Sequence, residues 1–145
     1  MLLILDELLA YNNPLVLDRY KVDHPRNALN ADEAFKELMK YFWLALKHEK
    51  DKRLYPQNEE LNFVCGIHEE MSEIDDMWHT FLLFTKDYTF FCNKYLLQYF
   101  HHSPTTSEDK MTEIEFEIDF TRFVSYVYDN LGEETLIKWF KTLLP

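Results

Sequence analysis

One amphipathic segment limits the choice of fold more than any other part of the chain, and it spans residues 30–52 (NADEAFKELMKYFWLALKHEKDK). Its apolar side chains recur at intervals of three and four residues, which places them on one face of a helix. These side chains are Ala34, Phe35, Leu38, Met39, Phe42, Trp43 and Leu46. Asn30 followed by Glu33 has the spacing of a capping box. The segment therefore predicts a long helix that contributes one face to a core.

The scarcity of glycine and proline extends the helical prediction to the whole chain. Only 2 glycines and 5 prolines occur in 145 residues, whereas hairpin-rich β proteins need many turn residues. The 12 Phe, 9 Tyr and 3 Trp are enough for one continuous core. We expect an all-α fold, a single helical domain over residues 1–145 that forms a compact bundle of about five to six helices. Trp43, Trp78 and the Phe and Tyr side chains are expected to form its core.

The remaining segments predict where the other helices lie. Apolar stripes predict helices over 2–10, 58–84 and 86–100, with Gly66 as a candidate break in the second and with 68–84 and 86–100 paired as a central hairpin. Other local signals predict a helical turn or an extended connection near 14–27, a loop at 101–110, and a helix that ends at Gly132 before a short last helix.

The stretch EIEFEIDF, residues 113–120, fits two kinds of structure. Its acidic and apolar residues alternate strictly, as in a half-buried strand. Phe116, Phe120 and Phe123 also share one face of a helix. Only residues 15–23 offer a partner strand, so a helix is preferred, and a short extended segment near 113–119 is the alternative.

The charge of the chain restricts its partners. The 26 acidic and 15 basic residues give a formal charge of −11, which repels nucleic acids and anionic lipids. Ordinary nucleic-acid binding is excluded on that ground, and a protein partner is expected, with a basic one matching the acidic surface. No apolar run approaches the ~18 residues of a membrane span.

Localisation follows from two further features. The apolar start is interrupted by Asp6 and Glu7, and no basic residue precedes it, so it lacks the pattern of a secretory signal. The cytoplasm is the default compartment, and export by a route that reads other signals is the alternative. Cys65 and Cys92 are expected to be free thiols, as in a reducing compartment.

Candidate functional residues concentrate in EIDDMWHTFLLFTKDYTFFC, residues 73–92. On a helix, Asp75 and Asp76 lie four and three residues before His79, so either carboxylate reaches its imidazole. A carboxylate partner fixes the tautomer of a histidine and raises its basicity, as a metal ligand or a general base requires. A chain reversal near Thr85 would place Cys92 opposite His79. The candidate metal ligands are His79, Cys92, His101 and His102, with zinc as the metal.

The preferred interpretation of these residues is a polar clasp in the core. Structural zinc sites usually contain closely spaced ligand pairs, which this sequence lacks. The apolar neighbours of Cys92 disfavour the thiolate that a nucleophile needs. We therefore expect His79 to be buried, bonded to Asp75 or Asp76, with no metal, cofactor or catalytic residue. The motif becomes a site only if His102 folds back to it.

Two segments, DDMWHTFLLFTKDYTFFCNKYLLQYFHHSP and YDNLGEETLIKWF, resemble a group of small uncharacterised bacterial proteins. The shared pattern runs Trp-His, then Tyr and Phe-Cys, then His-His-x-Pro. The first segment is also similar to plant glycine-rich-domain-protein-like (GRDP-like) segments. The residues that carry the likeness are Trp78, His79, Tyr88 and Cys92. Phe81 replaces the second histidine of the plant pattern, Phe91 its aspartate and Leu97 its glycine. The resemblance implies a shared fold and no defined activity.

Two functions follow as expectations. The first is a non-catalytic, acidic, helical protein-interaction or regulatory module, because the surface is acidic, aromatic residues are in excess and no catalytic pattern is complete. The alternative is a metal-dependent or Cys–His enzyme centred on Asp76, His79, Cys92 and His102. Converging side chains beside a cavity would favour the enzyme, whereas a flat acidic or aromatic patch elsewhere would favour the module.

Overall fold

The computed structural model describes residues 4–103 and 110–143, and these ranges form an all-α fold without a strand. They contain seven α-helices, one or two more than predicted: α1 Leu5–Leu9, α2 Pro14–Asp23, α3 Ala31–Leu54, α4 Ser72–Leu83, α5 Thr85–Phe91, α6 Glu113–Leu131 and α7 Glu133–Trp139. The predicted fold class is confirmed. No helix in the described ranges is both long and apolar enough to cross a bilayer.

Helix α3 lies at the centre of the packing, and its prediction is confirmed. The Asn30 side chain accepts a hydrogen bond from the backbone N–H of Glu33 at 2.9 Å, so the helix begins where the sequence predicts. Its apolar face contacts α1, α2, α4 and α6. Phe42 is fully buried and meets the rings of Trp78, Tyr88 and Phe91, which joins α3 to α4 and α5.

The three tryptophans occupy different depths of the core. Trp78 is 4% exposed and Trp139 is 2% exposed, whereas Trp43 is only partly buried at the edge of the core. The indole N–H of Trp139 donates a hydrogen bond to Glu37 at 2.9 Å, which ties α7 to α3. The prediction that Trp78 lies in the core is thus confirmed. Trp43 packs against the core but is only partly buried.

Helices α2 and α6 resolve the two ambiguous segments. Asn13 caps α2 by accepting from the backbone N–H of Val16 at 3.4 Å, and Pro14 occupies the first helical position, where its fixed φ is favourable. In α6, Thr112 and Glu115 form a reciprocal capping box with two 3.1 Å hydrogen bonds. The extended alternative near 113–119 is therefore wrong, because local capping satisfies the backbone that a strand would have left unpaired.

The single helix predicted over 58–84 is wrong in its first half. Asn58 caps only a short 3₁₀ turn, Glu59–Leu61, and residues 62–68 are not helical before a second 3₁₀ turn at Glu69–Met71 leads into α4. Tertiary hydrogen bonds hold this connection. The Tyr41 hydroxyl donates to the Cys65 carbonyl, His48 Nε2 pairs with the Leu61 carbonyl, and Arg122 donates to the Asn62 carbonyl. The side chains of α3 and α6 thus replace the helical bonds of the segment.

The pair formed by α4 and α5 differs in detail from the predicted hairpin. The chain bends at Phe84, and α5 begins at Thr85. No side chain caps the start of α5 with a hydrogen bond. The helix then passes into a π-helical turn, Cys92–Leu96, which ends at Leu97 with φ of 61°. Residues 101–103 are not helical, and the rest of the predicted 101–110 loop up to residue 109 lies outside the described residues. Gly132, with φ of 90°, ends α6 as predicted.

Candidate metal centre

Three side chains converge at the surface of α4: Asp75, His79 and His102. Nε2 of His102 lies 2.7 Å from Oδ1 of Asp75, and Nε2 of His79 lies 3.7 Å from Oδ2 of the same carboxylate. The two imidazole rings are 4.5 Å apart between centroids. One nitrogen or oxygen atom from each of the three residues lies within 4.8 Å of the other two. The arrangement is a two-histidine, one-carboxylate cluster.

Helix α4 positions the first two members of the cluster. Asp75 and His79 are four residues apart, so they lie on the same face. The opposite face is fixed by burial of apolar side chains, namely Ile74, Met77, Trp78 and Phe81. The rotation of α4 about its axis therefore follows from core packing, and it places Asp75 and His79 at the rim of the core.

The neighbouring acidic side chains of α4 point to a different partner. Glu73 accepts hydrogen bonds from the backbone N–H groups of Ala28 and Leu29 at 2.9 and 2.8 Å. Asp76 accepts from the Asn27 amide at 3.0 Å. Both carboxylates thus anchor the connection between α2 and α3, and Asp75 is left to meet the histidines.

A chain of hydrogen bonds brings His102 back to α4. The indole N–H of Trp78 donates to the Tyr88 hydroxyl at 3.0 Å, and that hydroxyl donates to the Phe100 carbonyl. Burial raises the pKa of Tyr88, so the hydroxyl keeps the proton that it donates. The His102 ring then packs against Trp78, with 4.2 Å between centroids. The hydrogen bond from Tyr88 to Phe100, two residues before His102, therefore helps to position His102.

The cluster opens to solvent on the side of His79. The side chain of His79 is 56% exposed, compared with 31% for Asp75 and 21% for His102. The predicted buried clasp is therefore wrong, because His79 lies on the outer face of α4 and its 3.7 Å contact exceeds hydrogen-bond length. His79 lies beside Asp75, as predicted, but only at ion-pair distance. The hydrogen bond of 2.7 Å to Asp75 comes from His102 instead. His102 does fold back to the motif.

Cys92 is not a member of the cluster. It is fully buried, beside the Tyr88 hydroxyl and the backbone of Phe100. Burial raises the pKa of the Cys92 thiol, and burial likewise raises the pKa of Cys65 to about 12. Both cysteines are free, as predicted. The cluster that contains His79 in the described residues does not include Cys92, and Cys92 is fully buried whereas the His79 side chain is 56% exposed.

The other predicted candidates also lie elsewhere. Asp76 faces Asn27, with His24 Nδ1 3.7 Å from its carboxylate. His101 is exposed and contacts the Tyr99 ring at 4.6 Å between centroids. Asp75 is the member of the cluster that the sequence does not single out as a candidate metal ligand. Its i,i+4 spacing to His79 was visible, but no local pattern indicates a contact between Asp75 and His102, which are 27 residues apart.

The dimensions of the cluster fit a first-row transition metal. Zinc binds imidazole nitrogen and carboxylate oxygen at ~2.0–2.2 Å, so neighbouring ligand atoms around a tetrahedral ion are roughly 3.3 Å apart. The observed contacts of 2.7 and 3.7 Å, which involve the two different oxygens of Asp75, lie on either side of that separation, and one ligand atom of each residue lies within 4.8 Å of the other two. Movement of the exposed His79 side chain toward the other two ligands would therefore complete a three-ligand site. Such a site leaves at least one coordination position for solvent or substrate.

Comparison with known proteins identifies one related family. A family model described as UCP032817-like matches residues 66–119, and this segment contains all three residues of the cluster. The match supports similarity to a family of uncharacterised small proteins over about the central third of the chain. No curated protein and no solved structure matches the chain significantly. The likeness to the plant segments stays a prediction.

Proposed function

We propose that this protein binds a divalent transition-metal ion, with zinc as the expected ion, through Asp75, His79 and His102. The observation that carries the proposal is the convergence of two imidazole nitrogens and one carboxylate within 4.8 Å at a solvent-accessible position. This is the metal-dependent alternative expected from the sequence, with Asp75 in place of Asp76 and without Cys92. The non-catalytic character of the protein stays a prediction.

The proximity of the two imidazoles favours a metal over a simple ion-pair cluster. The rings of His79 and His102 lie 4.5 Å apart beside the single carboxylate of Asp75, which makes a short contact of 2.7 Å with His102 and a longer one of 3.7 Å with His79. A metal ion instead uses the lone pairs of two neutral imidazoles and the charge of one carboxylate. One bound ion therefore bonds to all three groups at the same time.

The ligand set also indicates what chemistry a bound ion would support. Zinc with two histidines and one carboxylate keeps an open position in hydrolytic enzymes, where it lowers the pKa of bound water. The same set binds iron(II) in oxygenases. The residues of this chain hold the ion and leave the His79 side open. The packing of Trp78 against His102 restricts the movement of one ligand.

A calorimetric titration of zinc into metal-free, tag-free protein tests the proposal. We expect one ion per chain, and Asp75→Asn, His79→Ala and His102→Ala should each weaken binding at least about 10-fold, the loss seen even for residues that merely support ligands. Asp76→Asn and His101→Ala are matched controls, because each removes an adjacent group of the same type outside the cluster. They should retain the affinity of the unmodified protein.

Two outcomes would contradict the proposal. One is the absence of saturable zinc binding by protein whose circular dichroism shows an intact fold. The other is an equal loss of affinity in His101→Ala and His102→Ala, which would indicate a general response to lost histidines. An anaerobic titration with iron(II) identifies the preferred ion, since an unselective site of this kind binds zinc more tightly than iron(II).

A further inference from the structure

The first half of α6 exposes large apolar side chains. Every residue from 113 to 118 is exposed, Phe120 is partly buried against the core, and the first fully buried side chain of the helix is Phe123. Ile114 is 70% exposed, Phe116 49% and Ile118 47%. Ile114 and Ile118 are four residues apart and lie on one face of the helix, and contiguous exposed apolar side chains mark interaction sites. This half of the helix therefore differs from the second half, which packs against α3.

Two grooves run along this part of α6. A groove of about 680 Å³ is lined by Glu60, Phe116, Glu117 and Phe120, among others. A second groove of about 370 Å³ is lined by Phe63, Val64, Met111 and Glu115, among others. Ile118 and Arg122 line both grooves and form the ridge between them. We call this region, residues 60–64 with 111–122, the α6 surface.

The charge of the α6 surface selects the kind of partner that fits it. Glu60 and Glu117 form no ion pair anywhere in residues 4–103 and 110–143. Of the basic side chains that line the grooves, Arg122 is bonded to the Asn62 carbonyl at 3.0 Å, and Lys52 lines only the second groove. With a net charge of −11, the protein repels nucleic acid, anionic lipid and a second copy of itself. Complementarity therefore favours a basic polypeptide.

We infer that the α6 surface is a docking site for a basic amphipathic segment of a partner protein. Apolar side chains of that segment fill the grooves on either side of Ile118, and its Lys or Arg side chains pair with Glu60 and Glu117. This is the way in which amphipathic helices bind apolar grooves. The site is independent of the metal cluster and does not require a bound ion.

Binding of a designed probe tests this inference. The probe is a labelled amphipathic helical peptide of leucine and lysine, and its control is the same pattern with glutamate in place of lysine. In amide NMR spectra of the whole protein, the lysine peptide should shift resonances of residues 60–64 and 111–122. The double variant Ile114→Ser/Ile118→Ser should weaken binding at least about 10-fold, whereas Val22→Ser, a 75% exposed apolar site on α2, should not.

A second pair of variants tests whether the acidic side chains of the α6 surface contribute to peptide binding. Glu117→Lys should weaken binding of the lysine peptide, and Glu7→Lys, the same change on α1, should not. Equal losses in both variants would mean that only net charge matters and would overturn the inference, as would shifts centred elsewhere or equal binding of the glutamate peptide. Sedimentation that shows a dimer abolished by Ile118→Ser would identify the occupant as a second copy, which would also overturn it.

Discussion

Replacing Tyr88 by phenylalanine removes one hydroxyl that connects the core to the cluster of Asp75, His79 and His102. This hydroxyl accepts from the Trp78 indole N–H at 3.0 Å and donates to the Phe100 carbonyl. Tyr88→Phe keeps the ring in place, so the change isolates these bonds from the packing of the aromatic core. We expect a loss of stability together with weaker metal binding, because His102 lies two residues beyond Phe100.

The magnitude follows from the burial of the partners. Tyr88 is 1% exposed and Trp78 is 4% exposed, so water cannot replace the lost bond to the indole. A buried polar group left without a partner costs ~1–3 kcal/mol, and the Phe100 carbonyl lies in a half-buried residue that solvent reaches in part. Together these terms predict a decrease of about 2–4 kcal/mol in the free energy of unfolding.

Urea denaturation followed by circular dichroism measures this change. With a urea dependence of about 2 kcal/mol per molar, the midpoint should fall by about 1–2 M. Tyr99→Phe is the matched control, because that ring is 43% exposed and its hydroxyl makes no hydrogen bond within the described ranges. It should change the free energy by less than about 0.5 kcal/mol. If Tyr88→Phe behaves like the control, the hydrogen-bond chain does not hold His102 in place.

Three further predictions address other parts of the chain. Leu97→Gly should stabilise the protein by about 0.5–1 kcal/mol in urea, because Leu97 is 71% exposed and has a left-handed φ of 61° that glycine adopts without strain; a loss of stability would contradict the turn geometry. Burial lowers the pKa values of His68 and His48 in the folded state. The unfolded state therefore binds protons first, and the urea midpoint should fall as the pH drops below about 6.5, less steeply in His68→Phe; equal slopes would count against the burial of His68. Cys92 should react with a thiol reagent only at the rate of unfolding, because burial disfavours its thiolate; rapid labelling of native protein would refute this.

The parts of the fold that the sequence predicts well depend on local signals. Helix α3 has its cap and its apolar stripe within one continuous segment, so its start at Ala31 follows directly from Asn30 and Glu33. The choice between helix and strand in α6 depends on Thr112 and Glu115, which are also neighbours in sequence. The strict alternation of acids and apolar residues in that segment reflects an exposed helix surface and not a pleated one.

The parts that the sequence predicts poorly depend on distant contacts. Residues 62–68 contain helix-compatible apolar spacing, yet side chains of α3 and α6 bind their carbonyl groups and hold them in a non-helical connection. The candidate site shows the same limit. The spacing of Asp75 and His79 indicates a pair on one face of α4, whereas the contact with His102 depends on a bend at Phe84 and on the Tyr88 hydroxyl. Neither has a local signature.

The most direct test of the proposed metal centre is a long-range proton–nitrogen NMR spectrum of the histidine rings, recorded before and after addition of one equivalent of zinc. The chain has 6 histidines, and we expect the Nε2 resonances of two of them, His79 and His102, to move to the chemical shift of a metal-bound nitrogen. The ring nitrogens of His101 and of the three remaining histidines should stay unchanged. Coordination through His101, or the absence of any change at His79 and His102, would contradict the assignment of the site.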